Sequence, residues 1–325
     1  MKIAIDRACE IAAQSLEKLG LAPADARAAA LHLIDCEVRG LGYAGLARIL
    51  SIAERLRAQP APPQPIRILR ESPVSARLDG GDQLGYLVAE RATEMAIAKA
   101  KVSGIGIVGA NNTWYTGMLS YYAERVVAQD MVALLFSNAS PWVAPEGGSE
   151  GRFGTNPVCA AFPSDEEPVI WDIGTSNIIH AQVVLAKRLG QPLPANAAFG
   201  PDGAPTTDPQ AALAGALAPW GGHRGSGLAL VVQMMGMLAG SPMMPGELRD
   251  FGYVAIVIRP DILTDTAQFK HEVAAYARTV RATRPRSADA PVRMPFDRSR
   301  AQRAEVLERG WIEVPDAALG ALERL

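Results

Sequence analysis

The stretch RGLGYAGLAR, running from Arg39 to Arg48, holds two arginines, one tyrosine and three glycines, and no histidine, carboxylate or thiol. A planar guanidinium can grip both oxygens of a carboxylate, so Arg48 suits an anionic substrate group; its plainer reading is a helix-capping surface arginine. A phenol near pKa ~10 is a poor acid at neutral pH unless a cation lowers it, so Tyr43 and Tyr115 suit orientation better than proton transfer. His180 is the remaining candidate for proton management, while His32, on the apolar side of its segment, reads as structural and His271 as exposed. Further loops, SNAS (137–140), GTNP (154–157), WDIGTS (171–176) and GGHRGSG (221–227), combine glycine with small hydroxyl and amide residues. Next to a helix such residues can cradle a phosphate with backbone N–H groups, although each alone is ordinary turn chemistry.

The elements that position these residues follow from hydrophobic periodicity. Apolar residues recur at helical spacing over 4–19 and 23–38, with Pro23 suited to a first helical position and Gly20 and Gly40 to stops. A proline-rich connector crosses 58–73, and a turn is expected at Gly80-Gly81. Beyond it, helices over 87–101 and 119–129 alternate with strands at GIGIVGANN, VALLFSNAS, NPVCAAFP and PVIWDIGTS. Helices over 181–188 and 227–239, a strand at FGYVAIVIRP and a helix over 266–282 complete an α/β pattern. The division read from this is a helical N-terminal part with the substrate-side loop (1–72), an α/β domain (73–284), and a C-terminal segment packing with the N-terminal part (285–325). That last segment alternates arginine with acidic residues, the pattern of a solvated helix face.

Composition removes several classes. The formal net charge of −2 gives no reason to expect nucleic acid, whose binding is mostly electrostatic. Cys9, Cys36 and Cys159 lack metal or disulfide spacing, so no metal is expected and a reducing cytoplasm fits best. The charged start does not read as a signal peptide, and the apolar run 228–239 is too short for a membrane span. Gly104-x-Gly106-x-x-Gly109 matches the dinucleotide fingerprint, but a helix precedes it and its glycines enter a strand, the reverse of what pyrophosphate binding needs. These glycines read as a helix stop and as relief for strand packing.

In order and separation, DCEVRG, SNAS, RFGTNP, WDIGTS and GGHRG resemble the malate/L-lactate dehydrogenase family that is unrelated to the Rossmann dehydrogenases and that includes ketimine reductases. The resemblance implies a non-Rossmann nicotinamide-binding fold, a mixed sheet flanked by helices with helical N- and C-terminal parts. It also implies NADPH or NADH as cofactor and a homodimer with the active site near the subunit interface. Carried over by position, the cofactor contacts are Ser137, Asn138, Asp172, Gly174, Thr175, Ser176, His223, Arg224 and Gly225, and Thr155 and Asn156 join Arg48 at the substrate. TSNIIHAQVVLAKRLGQPLP and GGHRGS look more like the ketimine reductases than the hydroxyacid dehydrogenases.

The pattern breaks at its acid/base positions. Tyr43 and Ala44 stand where the family has Ser-His, its proton donor; Trp114 and Tyr115 stand at the second histidine region; and Gln182 replaces an aspartate of the ketimine reductases. Phe296-Asp297 replaces a usual Gly-Glu, and MMPGELRDFG looks shortened. A positioned acid is typically worth ~10²–10⁴ in rate. An imine can be protonated before hydride arrives, whereas a ketone needs a donor as negative charge builds on oxygen. The expectation is therefore NAD(P)H-dependent reduction of a cyclic or N-substituted imine, with catalytic candidates Arg48, Tyr43, Tyr115 and His180. A 2-hydroxyacid dehydrogenase acting on a 2-oxo acid and a non-catalytic cofactor-binding homologue are the alternatives.

Overall fold

The computed structural model describes residues 1–58, 61–287, 289–322 and 324–325; positions 59 and 60 of the expected connector lie outside them. Strand β1 (Lys2–Ala4) leads into α1 (Ile5–Lys18) and α2 (Pro23–Val38), and a 3-10 turn at Gly42–Ala44 precedes α3 (Arg48–Ala58). Next come β2 (Arg67–Glu71), β3 (Ser75–Leu84), α4 (Gly85–Ser103), β4 (Ile105–Trp114), α5 (Leu119–Val127), β5 (Val132–Ser137), β6 (Val158–Phe162) and β7 (Val169–Ile173). A smaller unit follows, made of α6 (His180–Leu189), β8 (Ala198–Phe199), β9 (Pro205–Thr206), α7 (Pro209–Ala214) and β10 (Ala216–Leu217). The chain returns through α8 (His223–Leu238) to β11 (Phe251–Ile258), then runs on through α9 (Thr266–Arg281), α10 (Asp297–Arg309), β12 (Trp311–Glu313) and α11 (Asp316–Leu322).

The main sheet has the order β2-β3-β4-β11-β5-β6-β7. Only β3 and β4 pair in parallel, joined by α4 as a crossover; every other neighbour is antiparallel. The sheet is mixed, and it is not the doubly wound sheet of a Rossmann domain. The fingerprint-like glycines act structurally. Gly104 ends α4 in the left-handed region (φ 81°), and a Cβ on Gly106 would overlap the Ala96 carbonyl, so Gly106 lets α4 lie close on β4.

Two expectations are corrected. The proline-rich connector contains β2, an edge strand. Gly80-Gly81 does not turn the chain: β3 runs through it with a register shift between Asp79 and Gln83. Gly80 lies where a Cβ would come within 2.6 Å of the Asn112 carbonyl, and Gly81 takes φ 64° against the Gln64 carbonyl. Glycine there serves a bulge and a close backbone approach.

Core residues of α1, α2 and α3 form one cluster with Val306, Ile312 and Leu319 from the C-terminal elements, and β1 pairs with β12. The chain ends thus close on each other. Arg303 of α10 reaches Asp35 of α2 at 2.8 Å, which ties the last segment to the helix that leads into the RGLGYAGLAR stretch. Among the described residues no helix is long and apolar enough to cross a membrane.

Candidate active site

A cleft of about 510 Å³ opens between the N-terminal helices, the C-terminal ends of β5 and β7, and the turn before α10. Its size suits a small-molecule site. Arg48, the first residue of α3, lies in its wall at 8 % exposure, with its guanidinium 4.3 Å from the Tyr115 ring centroid. No carboxylate pairs with Arg48 among the described residues. An uncompensated buried cation is costly, so this geometry favours an anionic ligand.

The loop ahead of Arg48 is held from below. Gly45 leaves room for Glu37, whose Oε1 accepts the Leu46 N–H at 2.7 Å, and Arg48 N–H donates to the Gly45 carbonyl at 2.9 Å. Burial raises the Glu37 carboxyl to about 7. Tyr43 reaches the cleft from the same loop, and burial pushes its phenol up to about 12. Ala44 lines the cleft beside it and offers no proton.

His180 opens α6 and stacks on Trp142, with ring centroids 3.8 Å apart and an interplanar angle of 11°. Burial, reinforced by the Arg48 charge, lowers its pKa to about 3, so the imidazole is neutral at physiological pH. Its Nδ1 is buried with no hydrogen-bond partner. His32 lies behind the opposite wall, accepting the Met118 N–H on Nε2 at 2.9 Å among the rings of Tyr86, Tyr121 and Tyr122. Burial lowers its pKa to about 3 as well. His271 is exposed.

The loops expected to meet the cofactor converge, with different duties. Ser137 ends β5 in the cleft wall and accepts a hydrogen bond from Thr116 Oγ1 at 2.8 Å. Asn138 and Thr155 also line the cleft, but the Asn138 side chain is engaged: it accepts the Gly252 N–H at 2.6 Å and donates to Ser241 Oγ at 3.1 Å. Asp172 faces the cleft while accepting the Ser120 N–H at 2.7 Å, where α5 begins. Gly174 lines the cleft; Thr175 is buried and donates to the Thr155 carbonyl at 3.2 Å. Asn156, expected at the substrate, is fully buried away from the cleft lining. Its amide donates to the Ala229 carbonyl and to Gln233 Oε1, fastening α8 to the sheet. Its placement off the cleft lining does not match that expectation: the amide nitrogen is committed to α8, while Oδ1 is buried without a partner.

His223 and Arg224 are exposed at the first turn of α8, outside the cleft lining, and Gly225 is buried against the Trp220 carbonyl. The Trp220 N–H donates to the Thr175 carbonyl at 2.9 Å, so this turn and the WDIGTS loop form one ridge leading from the cleft. Ser176 Oγ is buried there without a partner, and no side chain caps α8. An orphaned hydroxyl and an uncapped helix start fit a phosphate-bearing cofactor. Among the described residues no cluster of His, Cys, Asp or Glu could hold a metal.

Residues 3–323 match the family model for malate/L-lactate dehydrogenase. The chain belongs to this family. L-sulfolactate dehydrogenase of Methanocaldococcus jannaschii is 34 % identical over 267 residues, covering 79 % of this chain and 78 % of the relative. Delta(1)-pyrroline-2-carboxylate reductase 2 of Burkholderia multivorans is 32 % identical over 251 residues, covering 77 % and 74 %. A crystal structure of a dehydrogenase from Sinorhizobium meliloti superposes with a TM-score of 0.92 at 31 % identity, covering 100 % of this chain and 97 % of that one. The malate/L-lactate dehydrogenase family therefore supplies relatives of both chemistries at similar identity.

Glu37, Trp142, Arg298 and Ser299 belong to the site's surroundings and were not singled out from sequence. Glu37 had a legible signal, a carboxylate in DCEVRG two residues before Arg39, but its contact with Leu46 depends on how the loop folds back.

Proposed function

We propose that this protein is an NAD(P)H-dependent reductase of a carboxylate-bearing cyclic or N-substituted imine. The observation that carries the reading is a cleft whose buried guanidinium pairs with no carboxylate among the described residues, with Ala44 at the family's proton-donor position and a neutral imidazole at His180. Arg48 grips the substrate carboxylate. An iminium arrives already protonated, so its carbon is electrophilic without help from the enzyme. Carboxylate and iminium cancel in charge, so the bound substrate adds no net charge to the cleft. The nicotinamide cofactor supplies the hydride. The ridge of Gly174, Thr175, Ser176 and the α8 start, with Ser137 and the backbone at Asn138, is the surface on which it would lie.

A second reading, a 2-hydroxyacid dehydrogenase, is favoured by one observation: a relative 34 % identical is named L-sulfolactate dehydrogenase. The two readings separate on substrates. Purified protein is supplied with NADPH or NADH and either Δ1-piperideine-2-carboxylate or Δ1-pyrroline-2-carboxylate, against pyruvate and oxaloacetate, with nicotinamide oxidation followed at 340 nm. The expected result is imine turnover at least about 10²-fold above keto-acid turnover, the usual worth of a positioned acid. Keto-acid turnover equal to or above imine turnover overturns the reading.

The same proposal includes a homodimer. The outer face of α8 presents Leu230, Val231, Met234, Met237 and Leu238 to solvent, extended by Met243 and Met244. Soluble monomers rarely keep so continuous an apolar face open. A second copy packing its own α8 there would cover it by two-fold symmetry and bring the Arg224 turn close to the interface.

A further inference from the structure

His180 and Trp142 form a fixed unit in the wall that also holds Arg48. The imidazole stacks on Trp142 with centroids 3.8 Å apart, and Trp142 is held in turn: its Nε1 donates to Glu247 Oε2 at 3.1 Å, and its carbonyl accepts the Leu217 N–H at 2.8 Å. The start of α6 is tied by Gln182, whose Oε1 accepts the Ile179 N–H at 3.0 Å. The side chain at the position of the ketimine-reductase aspartate therefore serves the backbone, and His180 is the polar group that α6 presents to the cleft.

The two imidazole nitrogens stand in different surroundings. Nδ1 is buried without a partner, and His180 makes no hydrogen bond among the described residues, so Nε2 is the nitrogen that the cleft reaches. The ring is neutral at physiological pH and carries a single N–H. A buried N–H without an acceptor is costlier than a buried lone pair, which assigns the proton to Nε2. His180 thus offers the cleft a neutral donor that can hold an anion without releasing its proton. Of the charged groups bordering the cleft, Arg39 is engaged by Asp35 and Glu124, and Asp172 and Arg298 carry opposite charges. Around Arg48 and His180 the walls are aromatic: the Tyr115 ring lies 4.3 Å from the guanidinium carbon, and Phe251 lies 6.1 Å from Trp142. The negative faces of such rings are poor neighbours for a second anion.

We infer that His180 Nε2–H joins Arg48 in binding the substrate carboxylate, and that this end of the cleft selects one carboxylate on an apolar body over a substrate with a second anionic group. This rests on the reading that Arg48 grips the substrate carboxylate. Each carboxylate oxygen accepts more than one hydrogen bond, so the guanidinium fork leaves lone pairs for another donor. An iminium nitrogen is itself a donor and cannot accept from Nε2–H, which directs the contact to the carboxylate.

The test is calorimetric binding of cyclopent-1-ene-1-carboxylate, a flat monocarboxylate without nitrogen, to the full-length protein with and without NADPH. The same titration is made on His180→Phe, which keeps a flat ring for Trp142 and removes the donor, and on His180→Gln, which restores one, each checked for a cooperative melt. His180→Phe is expected to weaken binding about tenfold, the scale of one hydrogen bond to a charged group, with His180→Gln retaining most of the affinity. On the unaltered protein, cyclopent-1-ene-1,2-dicarboxylate is expected to bind at least about tenfold more weakly than the monocarboxylate, a comparison that stands even if a variant fails to fold. A dissociation constant within about twofold of the unaltered protein in His180→Phe overturns the contact, and a dicarboxylate that binds as tightly as the monocarboxylate overturns the selection. A loss seen in KM for Δ1-pyrroline-2-carboxylate but not with the nitrogen-free ligand places the contact on the substrate nitrogen and also overturns it. If Arg48→Gln binds the monocarboxylate as well as the unaltered protein does, the Arg48 reading falls and the role of His180 with it; if Arg48→Gln weakens binding and His180→Phe does not, the role of His180 alone falls.

Discussion

Arg48 is the residue on which the substrate reading turns, because a guanidinium at 8 % exposure without a carboxylate partner is stabilised when an anion arrives. Arg48→Gln is expected to cut kcat/KM by about 10²-fold, the usual scale for removing one partner of a buried charged pair, while leaving the cofactor dissociation constant unchanged. Steady-state kinetics and calorimetry check the two halves separately. Ala44→His is expected to raise keto-acid reduction while imine reduction persists; if keto-acid reduction stays absent and imine reduction persists, the hydroxyacid reading loses its support. With His180 neutral down to about pH 3, its titration adds no limb to the rate profile between pH 5 and 8. The imine substrate supplies one instead: kcat/KM falls as pH rises through the imine pKa, which a pH series with two imines of different basicity would reveal as a limb that moves with the substrate.

At the scale of elements, α2 supports the cleft from two sides. Glu37 holds the loop that begins α3, and His32 holds the Gly117-Met118 turn ahead of α5. A Cβ at Gly45 would overlap the Glu37 carboxyl, so Gly45→Ala is expected to displace that carboxylate, release the Leu46 N–H and shift Arg48. The measurable outcome is a raised substrate KM with a stability loss of about 1–3 kcal/mol, the range for overpacking. Acid sensitivity follows from the histidines. His32 and His180 titrate near 6.5 when unfolded and at about 3 when folded, so between these values the unfolded chain binds more protons and stability falls as pH falls. Glu37, raised from 4.5 to about 7, acts in the opposite sense between those values, as do Glu124, Asp172 and Glu247, whose carboxyls burial also raises. The histidine share is read by difference in thermal melts: between about pH 6.5 and 4.5 the unaltered protein is expected to lose more melting temperature than His32→Gln does over the same interval.

For the whole molecule, the cleft depends on the chain ends closing together. β1 pairs with β12, and Arg303 reaches Asp35, so Pro295, Phe296 and the first turn of α10 are brought into the cleft wall beside α2. The open face of α8 belongs to the same scale. Met234→Lys combined with Leu238→Lys, at positions 50 % and 71 % exposed, is expected to leave the fold intact and to convert a dimer to a monomer in light scattering. A monomer before substitution would remove the dimer from the proposal.

The helices over α1, α2 and α9, the strand order of types and the non-Rossmann character were legible because each depends on local periodicity and on which element precedes a glycine motif. So were Arg48 and the vacancy at Ala44, since a residue type at a motif position is a property of the sequence itself. Other features were not legible. β2 is an edge strand held by its neighbour β3, and a proline-rich composition hides it. Asn138 and Asn156 sit in loops that look made for ligands, yet their amides are taken by Gly252, Ser241, Ala229 and Gln233, residues about 70 to 115 positions away in the chain. Arg39 belongs to the RGLGYAGLAR stretch in the sequence, and only the packing of α5 beside the end of α2 adds Glu124 to the Asp35 that α2 supplies. Sequence determined which groups are present and which local elements carry them; the tertiary structure decided which of them are already satisfied, because hydrogen bonds and ion pairs between distant segments exist only once the chain has closed.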